Sequence, residues 1–216
     1  MDTVVKRLLR EAGQTYAEET GIPLKDQPAA LFKLLVLANL LSARISSDIA
    51  MAAAKELFEA GGGTARGMSK LTWQERVDAL GRGHYVRYDE STSSRLGDMA
   101  EQVQDKYGGD LRRLPVEAER DVKHASKLLQ EFPGIGPTGV DIFCREAQAM
   151  WPWLRPYIDG QAVKGRSGSA CPPTRRSSPR RSQTRIWPAS RPRWSVWRGT
   201  RSSRTPSRAR TEGDRF

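Results

Sequence analysis

The sequence predicts an all-α protein. Three observations carry the prediction: apolar residues recur at helical spacing, cap-forming residues stand where those runs begin, and no stretch shows the period-two alternation of a half-buried strand. The elements follow in order. Val4 to Tyr16 has apolar positions at helical spacing and ends before Gly21-Ile22-Pro23. Asp26 is placed to cap a helix entering at Pro28. Ala29 to Ala43 then run apolar nearly all round, as in a helix buried in the middle of a domain. Ser46-Ser47-Asp48 start a helix that reaches Glu59 and stops at Gly61-Gly62-Gly63. Thr72 and Glu75 form a capping-box pair ahead of Val77 to Leu80. Ser91 or Ser93 opens the next helix, which ends at Gly108-Gly109, and Asp121 to Glu131 is a further helix followed by Pro133.

The 216 residues are 28% charged and 38% hydrophobic, enough for a packed core but not a generous one. The longest apolar run, Leu34 to Leu41, is broken by Asn39 and falls far short of the roughly 20 residues a membrane span needs. The start, Met1-Asp2-Thr3, lacks the basic and apolar pattern of a signal peptide. Cys144 and Cys171 are the only cysteines, which excludes a disulfide framework and a four-cysteine metal or iron–sulfur site built from this chain alone. The expectation is a soluble, monomeric, cytoplasmic protein with no membrane contact.

The net charge of +11 is unevenly spread. Residues 1–164 hold 22 Lys and Arg against 23 Asp and Glu, while residues 165–216 hold 14 Arg, no Lys and two acids. All the basicity therefore belongs to the last 52 residues. That segment also has ten Ser and six Pro, and lacks Leu, Met, Tyr, Asn and His. Its aliphatic surface is too small to offset the entropy of ordering it, so a disordered basic tail is expected. Two origins fit. One is an arginine-rich extension that grips phosphates. The other is out-of-frame reading of a GC-rich gene, whose correct frame after Lys164 is then expected to encode leucine- and alanine-rich helix.

The informative stretch is Leu128-Leu129-Gln130-Glu131-Phe132-Pro133-Gly134-Ile135-Gly136-Pro137-Thr138-Gly139-Val140. A helix ends at Phe132, a tight turn follows, and a second helix begins at Pro137, where proline is preorganised and lacks an amide with no partner there. Gly134 and Gly136 can take a positive φ and admit close approach of another backbone. The turn's amides and the second helix's N-terminus then make an anion site, for which a DNA phosphate is the natural ligand and base sequence is irrelevant. An ordinary helix–turn–helix corner is the plainer reading of the same residues.

Helix, Leu-x-x-φ-Pro-Gly-φ-Gly, helix resembles the helix–hairpin–helix of the endonuclease III-like DNA glycosylases. Pro28 to Ser47, with Leu40-Leu41-Ser42-Ala43-Arg44, looks like the family's first barrel helix and its loop. Gly81-Arg82-Gly83-His84-Tyr85, Tyr107-Gly108-Gly109-Asp110-Leu111 and Leu114-Pro115 resemble later family segments in the same order. Tyr157-Ile158-Asp159-Gly160 sits where the family carries its catalytic aspartate, about 20 residues past the hairpin. The resemblance covers roughly residues 28–164. It divides the chain into residues 1–26, an N-terminal helix of an incomplete second domain; 27–164, a glycosylase-like domain; and 165–216, the tail.

The resemblance implies a base-excision enzyme acting on double-stranded DNA and associated with the nucleoid. Hydrolysis of an N-glycosidic bond passes through an oxocarbenium-like state that a carboxylate stabilises, and the base must first leave the stack. Asp159 is the candidate carboxylate. Pro133, Gly134, Ile135, Gly136 and Thr138 are the candidate phosphate anchor. Arg44, where the family often has glutamine, is the candidate filler of the vacated stack, and His84 and Tyr85 are candidates for the opposite-strand wedge. Each has a plain alternative: Asp159 as a helix cap, Arg44 as a surface arginine, His84 and Tyr85 as loop packing, Asp141 as a solvated or capping carboxylate, Cys144 as a small buried hydrophobe. Bifunctional members carry a nucleophilic lysine where this chain has Thr138, so no lysine-based lyase activity is expected. The four-iron cluster of many members is expected absent, and no metal site is expected. The alternative function is a non-catalytic DNA-binding module in which Asp159 only caps.

Overall fold

The computed structural model describes Arg7, Arg10 and residues 13–160, and every regular element among them is helical. The expected tail, 165–216, and most of the expected first helix lie outside the described residues. Arg7 and Arg10 are helical, but the helix does not run on to Tyr16. Thr15 instead caps a new short helix, α1 (Tyr16–Thr20), through a capping box with Glu18, and Gly21 closes it at φ 76°.

The centre of the molecule is α2 (Pro28–Leu41), whose residues from Ala30 to Leu40 are buried apart from Lys33. A helix enclosed on all sides has no polar face to spare, which is why its sequence shows almost no amphipathic pattern. Asp26 does not cap it: the N-cap is Gln27, with no side-chain bond, and Asp26 Oδ1 accepts from Trp151 Nε1 at 3.3 Å.

Around α2 lie α3 (Ser47–Leu57), α9 (Pro137–Ala147) and the 3-10 turn Leu111–Arg113. Ser46 caps α3 by accepting from Ile49 N. The helix widens into a π turn over Phe58–Gly62, where Gly61 takes φ 101°, as the triple glycine predicts. A short helix absent from the sequence reading, α4 (Ala65–Lys70), follows with Thr64 as its cap. The Thr72–Glu75 capping box opens α5 (Trp73–Arg82) as expected. The long α6 (Asp89–Tyr107) begins before Ser91 and Ser93, so neither caps it; Ser93 Oγ is inside the helix and donates to Trp73 O at 2.8 Å. Gly108, at φ 62°, ends it. α4 and α5 both pack on α6, while α5 and α1 pack on α3.

A buried arginine joins α4, α5 and α6. Arg76 donates to Ser93 O from Nε and to Met68 O and Leu71 O from Nη1. After α7 (Leu114–Glu117), α8 (Val122–Gln130) is capped by Asp121 and joined to α9 by the turn at 131–136. The chain then passes Pro152–Leu154, where Trp151 stacks on Trp153 at 5.8 Å and meets Phe143 at 5.7 Å.

Candidate functional site

The α8–turn–α9 hairpin is fixed from beneath. Gly134 sits at φ 80°, in the left-handed region that glycine tolerates. Below it, the buried Asn39 of α2 donates its Nδ2 to Pro133 O at 2.9 Å. Ile135 is buried, and its amide donates to Phe132 O at 3.0 Å. These bonds sort the expected anchor residues. Pro133 and Ile135 hold the turn's shape and have no donor to offer. The amides of Gly134, Gly136 and Thr138 donate to nothing among the described residues, and Gly134 and Thr138 are exposed. Gly136 corrects the sequence expectation: its φ is −94° with ψ −172°, ordinary extended backbone. Of the two glycines, only Gly134 uses the positive φ.

Beside the hairpin runs a groove of about 360 Å³, lined by Tyr16, Leu41, Ile45, Ser47, Thr138, Ile142 and Arg145. Arg44, exposed, stands in the loop between two of these residues, Leu41 and Ile45. Thr138 and Arg145 come from one face of α9. Behind the groove, Arg145 Nη1 donates to Asp159 Oδ2 at 2.8 Å; the Asp159 side chain is 1% exposed and that of Arg145 37%. Of the expected site residues, Thr138 lines the groove, Asp159 meets it only through Arg145, and Arg44 is not among its lining residues. The structure holds the carboxylate of Asp159 beneath the surface, charge-paired with Arg145.

His84 and Tyr85 do not line the groove. His84 is exposed at φ 62°, just past the C-cap Gly83 of α5. Tyr85 corrects the expectation of a wedge: it is 1% exposed, a core side chain, and burial pushes its hydroxyl pKa upward. Asp141 is neither free nor a cap; its Oδ1 accepts from the Tyr157 hydroxyl at 2.7 Å. Burial first, and Asp141 second, push the Tyr157 pKa up. Cys144 is buried, and burial pushes its thiol up to about 12, the state of an unreactive packing residue.

Sequence reasoning missed Arg145 and Glu146. Glu146 is buried, and its carboxylate accepts the amides of Tyr16 and Ala17 at 3.2 and 3.3 Å. It places a negative charge at the N-terminus of α1 and so fixes Tyr16 at the groove. Adjacent Arg and Glu on a helix are a common surface pattern, and only their partners 14 and about 130 positions away reveal their use. Among the described residues, no group of three or more His, Cys, Asp or Glu could hold a metal ion, and no helix is long and apolar enough to cross a membrane. No family model matches the chain, and no curated protein or solved structure does so.

Proposed function

We propose that the chain is a DNA-binding protein of the endonuclease III-like glycosylase type, gripping one strand's phosphates through its hairpin and excising a damaged base with Asp159. The observation that carries the reading is the hairpin itself. A left-handed Gly134, braced by Asn39, leaves the amides of Gly134, Gly136 and Thr138 pointing at no protein acceptor, ahead of a helix N-terminus. Such amides supply both hydrogen bonds and a favourable dipole for a phosphate. The groove beside them is of small-ligand size and mixes the apolar Leu41, Ile45 and Ile142 with the polar Ser47, Thr138 and Arg145, a lining with surfaces for both the ring and the edge of an extrahelical base. Asp159 lies behind that groove, where a carboxylate would stabilise positive charge on the sugar. With threonine at position 138, hydrolysis by activated water is the chemistry available there, without a lysine nucleophile.

One observation favours a second reading, a DNA-binding module without catalysis. Asp159 is buried and already compensated by Arg145, as a purely structural carboxylate would be. The experiment compares the full chain with Thr138→Glu and Asp159→Asn on duplexes that each carry one oxidised, deaminated or mismatched base. Thr138→Glu sets a negative charge before the hairpin amides and is expected to weaken binding to every duplex alike. Asp159→Asn is expected to keep duplex binding to within a few-fold, since the hairpin amides are untouched, and to lose base release by 10²-fold or more. Sequence-independent binding by a parent that releases no base selects the second reading. Equal binding by parent and Thr138→Glu overturns both.

A further inference from the structure

The Arg145–Asp159 pair is lopsided in a way an ion pair built only for stability need not be. The carboxylate is sealed from solvent, whereas the guanidinium reaches the groove. One Nη is committed to Asp159, and the guanidinium carbon lies 5.9 Å from the centre of the Tyr16 ring. Tyr16 is itself held in place by the buried carboxylate of Glu146 on its amide. Arg145 is therefore gripped on two sides, while a five-donor fork has more N–H groups than the one bond to Asp159 uses. The groove's other polar side chains are those of Tyr16, Ser47 and Thr138, all hydroxyls, and no carboxylate lines it. Nearby acids are occupied: Glu146 on the amides of α1 and Asp141 on the Tyr157 hydroxyl. An ordered guanidinium in a groove without acids is suited to an anion, and its geometry matches the oxygens of a phosphate.

Position adds to this. Arg145 follows Thr138 by seven residues, two turns of α9, so both lie on one face about 10 Å apart along the axis. We propose that Arg145 is a second phosphate-contact residue of the DNA interface, aligned with the hairpin on α9, and that Asp159 and Tyr16 are the positioning groups that hold its guanidinium for the strand. The inference rests on the DNA-binding reading above and extends the contact from the hairpin into the groove. It also gives Asp159 a task whether or not that residue meets a sugar. The ordering of a long side chain, which normally opposes a phosphate contact, is completed before DNA arrives.

The test is the salt dependence of binding to undamaged duplex by the full chain. Residues 165–216 are common to all variants and cancel in the comparison. Arg145→Gln is expected to lower the slope of log K against log salt by about 1 and to weaken binding about tenfold at low salt, on all sequences alike. Arg145→Lys keeps the charge and is expected to keep the slope, with a smaller loss of affinity. Arg145→Gln removes the cationic partner of the buried Asp159, so the double variant Arg145→Gln/Asp159→Asn is measured beside it. It removes both charges and is expected to show the same reduced slope with a melting temperature nearer the parent's. Parental slope and affinity in both glutamine variants would overturn the proposal and leave Arg145 as a clamp on residues 151–160. Thr138→Glu reads the hairpin separately: if it binds like the parent, the hairpin reading fails while the Arg145 comparison still decides the role of Arg145. A parent with no duplex binding overturns both.

Discussion

Gly134 and Gly136 read identically in the sequence and play different parts in the structure. A Cβ at Gly134 would lie 2.5 Å from Asn39 Nδ2, the atom that holds the turn down, and the backbone there is left-handed. A Cβ at Gly136 would meet nothing within 4 Å, on extended backbone. Gly134→Ala is therefore expected to cost about 2 kcal/mol, from the strained φ and the displaced Asn39. Gly136→Ala is expected to stay within about 0.5 kcal/mol of the parent. Urea denaturation of the two variants checks this, and equal midpoints would show that the turn does not depend on its left-handed residue. Asn39 illustrates why the site was only half legible. Within its own helix it is an interruption of an apolar run. Its use appears only when Pro133, 94 positions away, is brought above it. Tyr85 is the reverse case: a Gly-Arg-Gly-His-Tyr loop suggests an exposed aromatic, but Tyr85 N bonds back to Leu80 O and the ring turns into the core.

The elements were legible where their signals are local. Ser46, the Thr72–Glu75 box, Asp121 and Gly108 all act within four residues of themselves, and each stands where the chain suggested. Asp26, Ser91 and Ser93 failed as caps because a distant partner claimed them or the helix began earlier: Asp26 meets Trp151, and Ser93 meets Trp73. α4 escaped notice because six residues holding a glycine show little periodicity; tertiary packing on α6 maintains it. Arg76 is the link that makes this packing specific. Arg76→Met keeps much of the side-chain volume but removes the donor to Ser93 O and strands the carbonyls of Met68 and Leu71 at the end of α4. It is expected to cost roughly 3 kcal/mol, because buried acceptors lose their donors and no shape is improved. Thermal melting followed by circular dichroism checks the loss. A variant as stable as the parent would mean that water reaches those carbonyls and that α4, α5 and α6 need no polar tie.

At the scale of the whole molecule, charge and core are separated along the chain. Among the described residues the buried hydrophobic core runs from Ala17 to Leu154, and the residues up to 164 are nearly neutral. Residues 172–216 hold 13 arginines against two acids. On the proposed DNA-binding reading, a hairpin that offers a few amides, with Arg145 beside it, neutralises only a few phosphates and so sets where DNA lies more than how tightly it is held. Each neutralised phosphate adds about 0.9 to the salt slope, and an arginine-rich segment in contact with duplex would dominate that slope. Removing residues 172–216 is expected to leave the melting temperature of the helical region nearly unchanged, since that Arg-, Ser- and Pro-rich segment has little aliphatic surface to bury. The same deletion is expected to reduce the slope to that of about two to four phosphate contacts and to lower affinity at 50 mM salt by more than 10²-fold. Binding of a random duplex across a salt titration, with the full chain and the deletion side by side, makes the measurement. A deletion that keeps the parental slope would show that the basic segment does not touch DNA, and that the near-neutral helical region carries all of the affinity through a local patch.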